Sequence, residues 1–139
     1  MDVFSKRKRS EVMGRIRGGG NRSTERKMAA MLRAYRIAGW KLHPPEVLGR
    51  PDIYFPNLQI AIFLDGCFWH ACRKCFKMPI QNQSFWAEKI RKNIKRDRFV
   101  NRILKKDGIR VIRLWEHDIE KDTSRVSKVL EILRTKIEA

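Results

Sequence analysis

The stretch Asp52-Ile53-Tyr54-Phe55-Pro56-Asn57-Leu58-Gln59-Ile60-Ala61-Ile62-Phe63-Leu64-Asp65 reads as strand, tight turn, strand. Asp52 to Phe55 carries β-branched and aromatic residues, Pro56-Asn57 supplies the turn, and Leu58 to Leu64 is the second strand. That second strand is almost wholly apolar, so both of its faces are expected to be buried. It delivers Asp65 at its end, while Asp52 stands at the start of the first strand. An acidic residue at each place puts two carboxylates side by side at one sheet end. Such a pair suits a hard cation such as magnesium, which takes one or two protein carboxylates and completes its shell with water and phosphate oxygens.

Immediately beyond comes Gly66-Cys67-Phe68-Trp69-His70-Ala71-Cys72-Arg73-Lys74-Cys75, which holds all three cysteines of the chain. The spacing is C-x4-C-x2-C, and the C-x2-C half lets two thiolates reach one tetrahedral ion. A fourth ligand would come from Asp65 or from His43, His70 or His117. Three cysteines cannot all pair with one another, and their close spacing points to metal binding rather than an extracellular disulfide framework. The expected location is the cytoplasm.

The 139 residues, 42% of them hydrophobic, fit one domain with one core, 1–139. A net charge of +17, from 32 Lys and Arg against 15 Asp and Glu, attracts polyanions, and nucleic acid is the commonest of these. No apolar run approaches the roughly 18 residues of a membrane-spanning helix, and Met1 to Ser10 lacks a signal-peptide core. No apolar patch demands a dimer, so a monomer is expected.

A basic, mobile arm is predicted at about 1–22. Within it Ser10 opens a short helix with Val12, Met13 and Ile16 on one face, ended by Gly18-Gly19-Gly20. The glycines read as a linker or as a flap over a phosphate backbone. Ser23 is the predicted cap of a helix carrying Met28, Met31, Leu32 and Tyr35, stopped by Gly39; Glu25 in its first turn reads as a capping charge or a catalytic group. A short strand, Trp40 to His43, precedes Pro44-Pro45. After the cysteines, Ser84 caps a long helix to about Asp107, with Trp86, Ile90, Ile94, Val100 and Ile103 or Leu104 on its buried side. Its other faces carry Lys89, Arg91, Lys92, Lys95, Arg96, Arg98 and Arg102, a solvated face or one that meets phosphates. Ile109 to Glu116 is the last strand, and a helix capped near Asp122 or Thr123 buries Val126, Val129, Leu130 and Leu133. The order gives an α/β fold: a mixed central sheet flanked by helices, which matches a restriction-endonuclease-like core.

The chain resembles the very-short-patch repair (Vsr) endonucleases in Gly49-Arg50-Pro51-Asp52, in Asp65-Gly66-Cys67-Phe68-Trp69-His70, in Phe85-Trp86-Ala87-Glu88-Lys89-Ile90-x-x-Asn93 and in Trp115-Glu116, with weaker agreement at Met13 and Glu25. The resemblance implies a magnesium-dependent nuclease that nicks DNA 5′ to the thymine of a thymine-guanine mispair. Asp52 would bind magnesium with Asp65 or the Leu64 carbonyl, His70 would be the base, and Glu25 would support the hydrated metal or the attacking water. The general restriction-nuclease pattern ends in acid-x-lysine, and here Cys67 stands where that lysine would fall.

The zinc set implied is Cys67, Cys72, Cys75 and His117, which leaves His70 for chemistry. Phe68, Trp69 and Trp86 would enter the DNA stack, Met13 would approach from the other groove, and Lys89 and Asn93 would read base edges. Such mispairs arise by deamination of 5-methylcytosine, so a cytosine-5 methyltransferase is the expected genetic companion. The rivals are a site-specific restriction or homing-type nuclease of the same fold and a non-catalytic zinc-stabilised DNA-binding protein.

Overall fold

The computed structural model describes residues 21–138. The predicted helix around Met13, the Gly18–Gly20 run and the arm up to residue 20 lie outside the described residues. The elements are α1 (Asn21–Ala34), β1 (Lys41–Leu42), β2 (Ile53–Phe55), β3 (Ile60–Asp65), α2 (Gln83–Lys106), β4 (Arg110–Trp115), α3 (Glu116–Glu120) and α4 (Ser124–Glu138).

The strands form one sheet in the order β1-β2-β3-β4. β1 pairs antiparallel with β2 and β2 with β3, while β3 and β4 run parallel through the crossover helix α2. Every residue of β3 is buried, as its apolar run predicts. Alternation along the strands sorts two cores. Ile60, Ile62 and Leu64 join Ile53, Phe55 and Leu114 against Met28 and Leu32 of α1 and Val126, Leu130 and Leu133 of α4. Ala61 and Phe63 face the other way, against Val100 and Leu104 of α2. Asp52, Asp65 and Arg113 follow the period of this second face, so the polar site and α2 share one side of the sheet.

Several boundaries differ from the sequence reading, each for a local reason. Ser23 lies inside α1 rather than capping it, and the first turn of that helix holds no acidic residue, so Glu25 is not a capping charge. The turn after β2 takes four residues, 56–59, because Pro56 cannot donate to the ladder and Gln59 adopts φ 53°. Leu58 therefore leaves the strand and packs partly buried on the core. The position before α2 is Asn82, left-handed at φ 58°, not Ser84. On α2 the buried stripe passes through Asn93 instead of Ile94. The strand predicted to reach Glu116 gives way there to the short helix α3. Its start is made by Asp118, whose Oδ2 accepts the Trp115 N–H at 3.0 Å and whose Oδ1 accepts the Thr123 hydroxyl at 3.0 Å. Among the described residues no helix is long and apolar enough to cross a membrane.

Gly49 sits where the loop from β1 closes on α2, at φ +81°. A Cβ there would meet Val100 Cγ1 at 2.6 Å and Phe63 Cζ at 3.3 Å, while one at Gly39 would meet nothing within 4 Å. Gly49→Ala is expected to lower stability by about 2–4 kcal/mol, combining backbone strain with overpacking. Gly39→Ala, which adds strain alone, is expected to cost about 1–2 kcal/mol. Urea unfolding of the two variants separates the terms; equal losses would show that the Val100 contact relaxes freely.

Candidate active site

Parallel pairing brings the carboxyl ends of β3 and β4 together, with Asp65 opposite Trp115. Two residues beyond each strand end stands a side chain able to bind a metal, Cys67 in the turn after β3 and His117 in the first turn of α3. The His117 Nδ1 lies 3.5 Å from the Cys67 Sγ, 3.5 Å from Cys72 Sγ and 3.4 Å from Cys75 Sγ. All four donor atoms fall within 4.8 Å of one another, an arrangement able to hold a metal ion. The imidazole Nε2 faces Asp118 Oδ1 at 3.6 Å, which places a carboxylate on the side of the ring away from the thiols. Burial pushes the Cys67 thiol up to about 12, so a thiolate there calls for a cation. At Cys72 burial acts in the same direction, but the Cys75 and Lys74 N–H groups and the neighbouring thiols outweigh it and the net shift is downward.

On the α2 side of the sheet end lies a cleft of about 370 Å³ lined by Arg50, Asp52, Asp65, His70, Asp97 and Arg113, among others. Asp52 and Asp65 therefore open onto the same space. Asp52 Oδ2 accepts the Leu64 N–H at 2.7 Å, and its Oδ1 is 3.9 Å from His43 Nδ1. His43 reaches Glu25 Oε1 with Nε2 at 2.8 Å, so Glu25, His43 and Asp52 form a second group able to hold a metal. His43, which the sequence offered as a zinc ligand, is held here by its left-handed backbone, φ 48°, and by β1–β2 pairing.

The third group is Asp65, His70 and Asp97. His70 Nδ1 hydrogen-bonds Asp97 Oδ2, and its Nε2 is 3.8 Å from Asp65 Oδ1. Asp65 is also gripped by Arg113 Nη1, at 3.0 and 3.3 Å from its two oxygens. Burial raises the Asp65 carboxyl, and His70 and Arg113 oppose it. Asp97, Arg113 and Asp118 were not singled out in the sequence. Asp97 had a signal: it is the one acid among the cations of the long helix from Lys89 to Arg102, at the buried-stripe spacing of Asn93 and Val100.

The aromatic residues form a cluster rather than a row of exposed wedges. Phe68 meets Trp69 at 5.2 Å and Trp86 at 5.4 Å between ring centroids, and Phe85 meets Trp86 at 5.0 Å, all edge-on. Trp69 and Trp86 are buried, and Phe68 is half-buried. Asn93 is buried as well, its amide donating to the Trp69 carbonyl at 3.4 Å, so it braces the aromatic loop from within. Lys89 is half-buried on the same helix. Met13 lies outside the described residues.

A family model described as DNA mismatch endonuclease Vsr matches residues 1–77. The chain belongs to the Vsr family. It is 36% identical over 117 residues to the DNA mismatch endonuclease Vsr of Escherichia coli K12, covering 83% of this chain and 73% of that one. It is 34% identical over 124 residues to the nicking enzyme V.NmeAIP of Neisseria meningitidis, covering 86% and 84%. With the nicking enzyme V.NaeI of Lentzea aerocolonigenes it shares 43% identity over 84 residues, which spans 60% of this chain and about half, 49%, of that relative. In this Vsr-family chain the matched segment holds both strands of the hairpin, Asp52, Asp65 and His70, whereas Asp97, Arg113 and His117 lie beyond it.

Burial pushes the Asp52 carboxyl up to about 7, helped by Glu25 and opposed by the Leu64 N–H and by His43. The unfolded chain, with an ordinary carboxyl near 3.8, releases that proton earlier. Between these values the native state binds more protons, so this group makes stability fall as pH rises from about 4 to about 7, with the penalty complete above that range. Asp52→Asn in magnesium-free buffer should therefore gain stability relative to wild type across that window. Urea titrations at pH 5 and pH 8 test this; a difference that does not grow with pH would mean that Asp52 ionises normally.

Proposed function

We propose that this protein is a magnesium-dependent endonuclease that nicks one strand of duplex DNA 5′ to the thymine of a thymine-guanine mispair, leaving a 3′-hydroxyl and a 5′-phosphate. The observation that carries the reading is the opening of Asp52, Asp65 and His70 onto one cleft at the carboxyl end of β3, with His70 turned away from the cysteines. The mixed sheet with its crossover helix supports a restriction-endonuclease-like fold, one domain over residues 1–139.

Asp52 is the anchor for the divalent ion. In a strand, the N–H and C=O of one residue point the same way. The Leu64 N–H donates to Asp52, so its carbonyl is directed to the same side and offers an oxygen beside the carboxylate, with Asp65 as the other candidate. A bound magnesium would acidify its water and offset phosphate charge. His70, its Nδ1–H held by Asp97, presents Nε2 to take a proton from the attacking water. Water adds to phosphorus as His70 takes its proton, the bond from phosphorus to the 3′-oxygen breaks, and the leaving 3′-oxygen takes a proton from solvent water. Glu25, bound to His43, would support a hydrated ion from α1.

Zinc is the metal that the Cys67, Cys72, Cys75 and His117 set fits. A tetrahedral zinc with bonds of about 2.3 Å to sulfur and about 2.0–2.1 Å to nitrogen has S···N edges of about 3.6 Å, against 3.4–3.5 Å here. It would staple the loop that carries Phe68, Trp69 and His70. For recognition, half-buried Phe68 is the side chain placed to enter the stack at the mispair, where unstacking is cheapest, with the buried Trp69 and Trp86 packed behind it. Lys89 and Met13 complete the DNA contacts, while Asn93, buried against the Trp69 carbonyl, holds the aromatic loop from inside; a monomer serving genomes that carry a cytosine-5 methyltransferase is the expected context. The nucleoid is the place where such a substrate is found.

Single-turnover nicking of matched and thymine-guanine duplexes tests this reading. Mispair-only nicking that needs magnesium and falls at least about 10³-fold in Asp52→Ala is expected, because the variant loses the ion that supplies most of the electrostatic stabilisation. Cleavage of matched DNA would indicate a restriction-type enzyme, and binding without cleavage a DNA-binding module. His117→Ala is expected to lose bound zinc by elemental analysis, while His70→Ala keeps it; full zinc in the first variant would exclude His117 as a ligand.

A further inference from the structure

The acid-x-lysine pattern would place a cation two residues after Asp65, but Cys67 occupies that position and turns to His117. The cleft nevertheless contains a fixed cation from the neighbouring strand. Arg113 stands opposite Phe63 in the parallel register and on the face of Asp65. Its guanidinium lies over the Phe63 ring, 4.2 Å from the centroid, and its Nε donates to Asn101 Oδ1 at 2.8 Å. Nη1 contacts both Asp65 oxygens, at 3.0 and 3.3 Å, and lies 3.6 Å from Asp97 Oδ1. The strand itself is pinned there, since the Arg113 carbonyl accepts from Arg125 Nη2 at 2.8 Å.

Those two carboxylates flank His70 on opposite ring nitrogens. Asp52, by contrast, is engaged with Leu64 and His43. We propose that Arg113 is a positioning residue of the cleft: it draws Asp65 out of the divalent ion's coordination shell and, by holding Asp65 and Asp97 together, sets the orientation of the His70 ring. The ion is then left to Asp52 and the Leu64 carbonyl. Two neighbouring carboxylates around one imidazole would otherwise repel, and either could swing toward a cation; a planar, permanently charged fork prevents both. This inference rests on the reading of His70 as the proton acceptor.

The test uses the full chain with zinc bound. Manganese(II) binding, followed by electron paramagnetic resonance, is expected to weaken about tenfold more in Asp52→Asn than in Asp65→Asn, since only the first variant removes a ligand oxygen. In 15N-histidine spectra the His70 Nδ1–H resonance is expected to move in Arg113→Gln and to return toward its native position in Arg113→Lys. Single-turnover nicking by Arg113→Gln should fall about 10–100-fold with DNA affinity nearly unchanged.

Equal loss of manganese in the two aspartate variants would overturn the proposal. So would an unmoved His70 resonance in Arg113→Gln, or a fall in rate matched by a fall in DNA affinity, which marks a phosphate contact. If His70→Ala nicks normally, the reading of His70 as base fails, while the metal and resonance measurements still decide what Arg113 holds.

Discussion

The pairing of β3 with β4 in parallel is the constraint on which the rest of the site depends. In that register Asp65 faces Trp115, and two residues past the strand ends stand Cys67, in a turn, and His117, in α3. Parallel strands end on the same side, so groups 50 residues apart in the chain meet without any loop having to reach. The crossover helix α2 that makes the pairing possible lies over the same face as Asp65 and supplies Asn93 from its buried stripe and the half-buried Asp97 beside it. One topological choice thus assembles the cysteine-histidine group, the His70 pair and the floor of the aromatic loop.

A chain of net charge +17 concentrates its buried acids at this sheet end. The arrangement is economical in charge because each carboxylate has a defined counterpart. Asp52 takes the Leu64 N–H and faces His43, Asp65 takes Arg113, Asp97 takes His70, and Asp118 takes the Trp115 N–H and the Thr123 hydroxyl. Buried carboxylates without such partners would be costly. The raised Asp52 carboxyl marks a place where burial is not fully compensated, and Asp52 belongs with Glu25 and His43 to a group able to hold a metal ion. Arg50 and Arg96 line the cleft as well, giving a polyanion a favourable approach to a site whose interior is acidic.

Much of the fold was legible in the residues. The apolar run of β3 announced a strand buried on both faces, the turn at Pro56-Asn57 announced its hairpin with β2, and the order of elements announced a crossover to a parallel strand. Boundaries were less legible where a single side chain decides them: Gln59 lengthens a turn by going left-handed, and Asp118 ends a strand by accepting the Trp115 N–H. On α2 apolar periodicity pointed to Ile94, whereas the buried stripe runs through Asn93 and toward Asp97. Polar residues take core positions there because they have partners, a Trp69 carbonyl and the His70 ring, that no local pattern announces.

By itself the sequence determined which chemistry is present: thiols at metal-ligand spacing, carboxylates at strand ends, an imidazole beside adjacent aromatics, and a strongly cationic surface. It also determined the strands, since hydrophobic alternation and turn residues act over a few neighbouring positions. The resemblance had implied that His117 faces the thiols, and the structure brings it there; only the tertiary structure decided which carboxylate Arg113 holds, and that Glu25 meets His43 instead of capping its own helix. Those outcomes depend on distances between segments remote in the chain, which are set by strand register and by the packing of α2 and α1 on opposite faces of the sheet.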